Sequence, residues 1–174
     1  MNHQEVRAFA ASQGIVALES ASPFTPEVDP TFQFNKQHVL EMIGFWLTGF
    51  TAMKLLGPQG CGKTKLVEQF HAALNYPLLQ PQTHARTEAP DLNGQTIPTA
   101  EGFRYVYGHL VNAAKAGCSV FIDEWNVLGA DVTTSLNPIL EAGKIDIAET
   151  GESILPAQGF RVFAACNPND KSLG

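Results

Sequence analysis

The chain has 174 residues, of which 44% are hydrophobic and 16% charged, values typical of one globular domain with a substantial core and not of a disordered chain. Its formal net charge is −6 and its eleven Lys and Arg residues are scattered, which excludes a bulk positive field that would attract nucleic acid. Cys61, Cys118 and Cys166 are odd in number and form no CxxC pair, so we expect free thiols in a reducing compartment.

Membrane and secretion signals are both weak. The apolar stretch at 38–56 is interrupted by charged residues and glycines, and its apolar runs are too short to span a bilayer. The N-terminus carries Glu5 and no continuous apolar segment, which argues against a secretory signal. We therefore expect a cytoplasmic protein with no membrane segment.

Hydrophobic periodicity and turn residues predict alternating helices and strands. In chain order the predicted elements are a helix at 4–12, an extended proline-rich segment at 20–30, a helix at 37–47, a buried strand at 51–57, a helix at 63–74, a strand at 76–80, a helix at 109–116, a buried strand at 118–124, a helix at 129–143, a hairpin at 144–156 and a strand at 160–166. Strands that alternate with helices predict a mostly parallel sheet covered on both faces, an α/β/α sandwich.

The helical spacing also predicts which side chains face inward. These are Leu40, Ile43 and Leu47 in the helix at 37–47, Leu66, Phe70, Ala73 and Leu74 in the helix at 63–74, and Val132, Leu136, Ile139 and Leu140 in the helix at 129–143. Pro138 is expected to kink or divide the last of these helices. Residues 81–108 are predicted to be mostly loop with a small hairpin at 103–107, and loops of this length are usually functional.

Residues 57–64, GPQGCGKT, match the complete phosphate-loop pattern G-x-x-x-x-G-K-[ST]. Glycines let successive backbone N–H groups converge on a phosphate, and the helix that begins here adds its positive end. Lys63 is expected to reach the β- and γ-phosphates, and the Thr64 hydroxyl is expected to ligate Mg²⁺. The predicted nucleotide-binding residues are Gly57, Pro58, Gln59, Gly60, Cys61, Gly62, Lys63, Thr64 and Lys65. A chance glycine-rich turn is the alternative, but the flanking strand and helix favour the phosphate loop.

Two adjacent carboxylates, Asp123 and Glu124, end the buried strand at 118–124. Such a pair is costly at a strand tip unless a cation or a reaction uses it. Asp123 is therefore a predicted Mg²⁺ ligand, with Thr64, and Glu124 is the predicted general base that polarises the attacking water. The alternative is a strand that simply ends in a polar turn.

The order of GPQGCGKT, FIDEWN and FRVFAACNP resembles the AAA+ ATPases, and more narrowly their MoxR-type branch. That branch includes the rubisco-activating, nitric-oxide-reductase-activating and cobaltochelatase ATPase subunits. RTEAPDLNG, GHL with AAKAG, and LNPILEAGKIDI support the narrower resemblance, which covers roughly residues 30–170. The resemblance implies a P-loop NTPase core that binds ATP and Mg²⁺, assembles with its own or homologous AAA+ subunits in a ring, and acts on a client protein.

The resemblance also implies roles for other positions. Asn167 matches the family's sensor 1, a polar residue at a strand tip that contacts the γ-phosphate and is counted with Glu124 as catalytic. The alternative is that residues 167–170 are only a turn, which their composition favours. The segment at 84–107 and the hairpin near 144–155 would face the ring's pore or the client. Phe103, Tyr105 and Tyr107 are then either gripping or packing aromatics.

The chain departs from the family pattern in three ways. The family sheet has the order 5-1-4-3-2, and this chain supplies candidates for four strands, at 52–57, 77–80, 118–123 and 160–166, and none for the fifth. The helical lid and the arginine finger are also missing. The arginines are Arg7, Arg86, Arg104 and Arg161, and none occupies the expected place.

We therefore expect an N-terminal extension at 1–36, partly irregular, followed by a C-terminally incomplete AAA+ core at 37–174. The strand at 52–57 would then be an exposed apolar edge, which predicts association or low solubility. The leading function is Mg²⁺-dependent ATP hydrolysis that remodels a client protein. A non-hydrolysing nucleotide-binding subunit of a hetero-oligomer remains an alternative, and a DNA-acting motor is disfavoured by the acidic charge.

Overall fold

The computed structural model describes residues 1–141 and 143–168. The helices are α1 (His3–Ser12), α2 (Lys36–Leu47), α3 (Lys63–Leu74), α4 (Ala89–Asn93), α5 (His109–Ala116) and α6 (Ala130–Glu141). The strands are β1 (Ala52–Leu56), β2 (Leu78–Leu79), β3 (Gly94–Thr99), β4 (Gly102–Tyr107), β5 (Ser119–Ile122), β6 (Ile145–Ile147), β7 (Glu152–Ile154) and β8 (Arg161–Cys166). A 3-10 turn at Trp125–Val127 follows β5.

Four parallel strands form the central sheet in the order β1-β8-β5-β2. Leu56 pairs with Cys166 and Ile122 pairs with Ala164, so β1, β8 and β5 end at the same edge. The sheet confirms the predicted α/β class, and the order matches strands 1-4-3-2 of the expected topology. Because parallel strands present their carboxyl ends together, the segments that follow β1, β5 and β8 lie side by side.

Two hydrophobic cores cover opposite faces of this sheet. Val120, Ile122 and Val162 pack with α5 and α6 on one face, whereas Phe121 and Phe163 pack with α1, α2 and α3 on the other. Successive residues of β5 and β8 thus alternate between the cores, as side chains of a strand must. This arrangement confirms the three-layer α/β/α sandwich.

The N-terminal residues pack onto the second core. Val6 and Ala10 of α1 are fully buried and share that core with α3. The Arg7 Nε donates to the Ala73 carbonyl at 2.7 Å, and the Met1 ammonium donates to the Phe34 carbonyl at 2.8 Å. The division of the chain at 36/37 stays a prediction, but residues before it contribute apolar surface to the same core.

Helix α2 buries a face that agrees with the predicted one only at Ile43. The side chains that it buries are Val39, Met42, Ile43 and Trp46, and the predicted Leu40 and Leu47 are exposed. Both stripes repeat at helical spacing, so periodicity alone did not separate them. Trp46 decides the orientation, because its ring packs against Tyr76 at 4.9 Å and under the Arg161 guanidinium at 4.0 Å.

Strand β1 is not buried, contrary to its prediction. It has β8 on one side only, and its residues alternate between exposed and half-buried. Leu56 at its end is 69% exposed. Within the described residues β1 is therefore an edge strand with apolar side chains in contact with solvent.

The segment at 81–108 is more ordered than predicted. Strands β3 and β4 form a six-residue antiparallel hairpin, of which the predicted 103–107 is the second strand, and α4 precedes it. Gly94 has φ +126°, and a Cβ there would lie 2.5 Å from the Val106 carbonyl oxygen, so the hairpin requires glycine at this position.

The remaining predictions concern the end of the chain. Helix α6 continues through Pro138 instead of dividing, with Leu136 and Ile139 on either side both almost fully buried; residue 142 lies outside the described part. The predicted hairpin at 144–156 is confirmed as β6–β7.

Leu66, predicted inward, is half-buried. Among residues 1–141 and 143–168, no helix has the length and apolar content needed to traverse a bilayer.

Candidate functional site

The loop between β1 and α3 has the backbone conformation that a phosphate cradle requires. Gly60 and Gly62 have φ +76° and +88°, in the left-handed region that favours glycine. A Cβ on Gly57 would lie 2.9 Å from the Cys61 sulfur. Helix α3 begins at Lys63 and no side chain caps its N-terminus. The first N–H groups of α3 therefore lack intrahelical acceptors and carry the positive end of the helix.

Lys63 connects this loop to the end of β8. Its ammonium donates to the Gly57 carbonyl at 2.8 Å, to the Pro58 carbonyl at 3.0 Å and to Asn167 Oδ1 at 2.8 Å. Lys63 and Asn167 are 104 positions apart in the chain. The parallel sheet brings them together because β1 and β8 are neighbours with matched ends.

Thr64 and Asp123 form the second long-range contact of the site. The Thr64 hydroxyl donates to Asp123 Oδ2 at 2.9 Å, so a hydroxyl and a carboxylate oxygen lie side by side. The described residues contain no group of three or more His, Cys, Asp or Glu arranged to hold a metal. Mg²⁺ typically takes one or two protein oxygens and completes its shell with phosphate and water, and this donor pair fits that pattern.

Glu124 follows Asp123 in an unusual backbone conformation. Its φ is +50°, its N–H donates to Asp123 Oδ1 at 2.8 Å, and its side chain is exposed. The Glu124 side chain is therefore open to solvent.

Nine of the twelve predicted site residues line one cavity of about 290 Å³. They are Gln59, Gly60, Gly62, Lys63, Thr64, Lys65, Asp123, Glu124 and Asn167. The other three predicted residues, Gly57, Pro58 and Cys61, line an adjoining cavity of about 540 Å³, which shares Gly62 and Lys63 with the first. The geometry thus gathers every predicted position at the carboxyl edge of the sheet.

Two side chains that the sequence analysis did not assign also contact the site. Asn126 Oδ1 accepts from the Asn167 N–H at 3.3 Å, which links the turn after β5 to the tip of β8. The Thr83 hydroxyl donates to the Asp123 carbonyl at 2.8 Å. Asn126 lies within the quoted FIDEWN, where a polar residue two positions after the paired acids was a usable signal. Thr83 had no comparable signal.

The aromatic residues of β4 fall into two groups. Tyr105 and Tyr107 are half-buried against the first core, and Lys115 Nζ lies 4.1 Å from the Tyr107 ring centre. Phe103 is 82% exposed. Packing therefore accounts for both tyrosines, whereas of these three aromatic residues only Phe103 is exposed enough to contact another molecule.

The turn predicted at 167–170 includes residues 169 and 170, which lie outside the described residues.

The fold and the glycine loop define a phosphate-loop α/β protein. The family model for the AAA domain of the dynein-related subfamily matches residues 52–174. The chain belongs to the AAA+ family.

Curated relatives support the same branch and confirm the MoxR-type resemblance. Protein NorQ of Paracoccus denitrificans is 34% identical over 120 residues, which is 68% of this chain and 44% of that protein. The denitrification regulatory protein NirQ of Stutzerimonas stutzeri is 30% identical over 129 residues, 74% of this chain and 46% of that protein. Protein CbbQ of Hydrogenophilus thermoluteolus is 31% identical over 121 residues, 69% of this chain and 45% of that protein. The chain therefore matches less than half the length of these relatives.

A solved structure shows the same fold. A protein from Cytophaga hutchinsonii, described as a candidate ATPase, superposes with a TM-score of 0.61 at 15% identity, covering 97% of this chain and 45% of its own. At this identity the similarity concerns the architecture, not the activity.

Proposed function

We propose that the chain binds ATP with Mg²⁺ and hydrolyses it. The observation that carries the proposal is the convergence of Lys63, Thr64, Asp123, Glu124 and Asn167 on one cavity. Two of the contacts that join them, Lys63 to Asn167 and Thr64 to Asp123, measure 2.8 and 2.9 Å and bridge 104 and 59 positions. Packing alone does not require an ammonium, two carboxylates and two polar side chains at this edge of the sheet, whereas phosphoryl transfer uses each of these groups.

The roles follow from the chemistry of each group. The loop N–H groups and Lys63 bind phosphate oxygens, and Thr64 and Asp123 hold the metal ion. Mg²⁺, when bound, neutralises charge on the β- and γ-phosphates. Glu124 accepts a hydrogen bond from the attacking water and orients it, and the Asn167 amide holds the terminal phosphate in place.

The adjoining cavity is suited to the nucleoside. Its volume of about 540 Å³ lies in the range of small-molecule sites. Met42, Met53 and Leu66 supply apolar surface, and Asn35 and His38 supply polar groups. Because it shares Gly62 and Lys63 with the phosphate cavity, one nucleotide can occupy both cavities.

Calorimetry with Mg·ATP tests the proposal. Lys63→Ala is expected to abolish measurable binding, and Glu124→Gln is expected to keep binding and to lose hydrolysis. Lys144→Ala is the matched control, because Lys144 pairs with Asp146 at 2.8 Å on the β6 strand and lies outside both cavities. Equal ATP affinity of Lys63→Ala and wild type would defeat the proposal.

We further propose that hydrolysis serves to remodel a client protein in an assembly of AAA+ subunits. Family membership and the exposed Phe103 on the β3–β4 hairpin support this proposal. Cross-linking from a photoreactive residue at position 103 tests it: capture of a partner only in the presence of ATP is expected, and no ATP-dependent product would count against it.

A second candidate is a nucleotide-binding subunit that depends on a partner for hydrolysis. All four arginines lie within the described residues, and none lines the phosphate cavity. In related phosphate-loop systems an arginine supplied by a partner is worth about 10³–10⁵ in rate. A turnover number that is unchanged by added homologous subunits would remove this candidate.

A further inference from the structure

One peptide group in the site is fixed at both of its polar ends. The peptide between Asp123 and Glu124 has its carbonyl oxygen bonded to the Thr83 hydroxyl at 2.8 Å. Its N–H is bonded to Asp123 Oδ1 at 2.8 Å. A peptide plane with both groups engaged has little freedom to rotate, so the backbone direction into Glu124 is set by these two bonds.

The backbone of Glu124 needs this support. Asn75 and Glu124 are the non-glycine residues with positive φ among those described. Asn75 occupies the C-cap of α3, where asparagine adopts this conformation readily. Glutamate has no such preference and is strained there. A strained conformation beside a reactive group persists only when the surroundings hold it, and Thr83 is the one group from another segment seen to hold this peptide in the described chain.

Thr83 itself is held in place by the loop between β2 and α4. The His84 N–H donates to the Thr87 hydroxyl at 2.8 Å, and the Thr87 N–H donates back to the His84 carbonyl at 2.9 Å. Thr87 is buried. The hydrogen-bonded turn at 84–87 therefore fixes the backbone next to Thr83, and with it the position of the Thr83 hydroxyl.

We propose that Thr83 is a positioning residue, which holds the Asp123–Glu124 peptide so that the Glu124 carboxylate faces the phosphate cavity. The inference rests on the proposed function, since it assigns Glu124 to water activation. Thr83 contacts neither nucleotide nor metal in this account. Its effect on the reaction passes through the peptide that joins Asp123 to Glu124.

Substitution of the hydroxyl tests the inference. Thr83→Val keeps the shape and removes the donor, Thr83→Ser keeps the donor, and Thr83→Ala serves if the valine variant does not fold. For Thr83→Val we expect kcat for Mg·ATP to fall about tenfold, the rate equivalent of one hydrogen bond, with KM and the calorimetric Kd unchanged within about twofold. Thr83→Ser is expected to retain wild-type kcat. A merely structural role would lower stability without this split between kcat and KM.

A second measurement does not require hydrolysis. Crystal structures of wild type and Thr83→Val give the φ of Glu124 directly, and we expect it to leave the left-handed region in the variant. A variant that keeps a positive φ at Glu124, or that hydrolyses ATP at the wild-type rate, would overturn the assignment of Thr83. If wild type neither binds nor hydrolyses ATP, the proposed function fails, and the φ comparison still decides whether Thr83 fixes this peptide.

Discussion

The stability of this protein should fall as pH decreases from neutral, because His71 is buried without its charge. His71 of α3 is fully buried, and burial, with a smaller contribution from the Arg161 charge, lowers its pKa to about 4. Nδ1 lies 2.8 Å from the Val67 carbonyl, and since a carbonyl can only accept, Nδ1 carries the proton of the neutral ring. Nε2 has no partner among the described residues, so a second proton would enter an apolar site.

The sign and size of the effect follow from the two pKa values. The pKa of histidine in the unfolded chain is 6.5, so on acidification the unfolded state takes up the proton first. The stabilisation is complete above pH 6.5 and is lost as pH falls from 6.5 towards 4. For a folded-state pKa of about 4, His71 should account for a loss of about 2 kcal/mol between pH 7.5 and pH 5, and of roughly 3 kcal/mol in all.

Urea unfolding at pH 7.5 and pH 5 measures this loss. His71→Leu removes the titrating group and leaves an apolar side chain among Trp46, Phe70 and Phe163, and it should show a loss smaller than that of wild type by about 2 kcal/mol. His109→Gln, on an exposed residue at the start of α5, is the control and should behave as wild type. Equal pH dependence in wild type and His71→Leu would refute the reasoning.

Four further predictions concern packing, backbone and association. Phe163→Ala, at a fully buried position, should lower the free energy of unfolding by about 3–5 kcal/mol in urea titration. Gly94→Ala should destabilise by about 1–3 kcal/mol, because its φ is +126° and its Cβ would meet the Val106 carbonyl; earlier proteolysis in the β3–β4 hairpin would report it. Gly62→Ala should weaken Mg·ATP binding by about tenfold in calorimetry, since φ +88° costs about 1–2 kcal/mol with a side chain. Leu56→Lys on the exposed β1 edge should raise the monomer fraction in light scattering, because a charge on an edge strand opposes pairing; a wild type that is already monomeric at high concentration would contradict that prediction.

The sequence predicted those parts of the fold that depend on local pattern. The phosphate loop is a contiguous motif, and β5 and β8 are short apolar runs that end in polar residues, so both their positions and their parallel pairing followed from the alternation of strands and helices. The convergence of Lys63 with Asn167 was implied by the resemblance to the AAA+ ATPases, whose strand order places β1 beside β8, and the structure brings the two side chains to 2.8 Å.

Other features depend on partners that are distant in sequence. The buried face of α2 was decided by the contact of Trp46 with Arg161 and Tyr76, and the exposure of β1 by its place at the sheet edge. The contacts of Thr83 and Asn126 with the site required the turn after β5 to lie against two other segments. Asn126 had a local signal in its spacing from the paired acids, whereas the contact of Thr83 with the site depends on tertiary structure alone.

The Lys63 ammonium has three protons to donate and has three protein oxygens within 3.0 Å. An incoming anion can therefore engage this lysine only by exchange, in competition with two backbone carbonyls and the Asn167 amide. The free energy of anion binding is then the difference between the hydrogen bonds that Lys63 makes to the anion and those that it gives up within the protein.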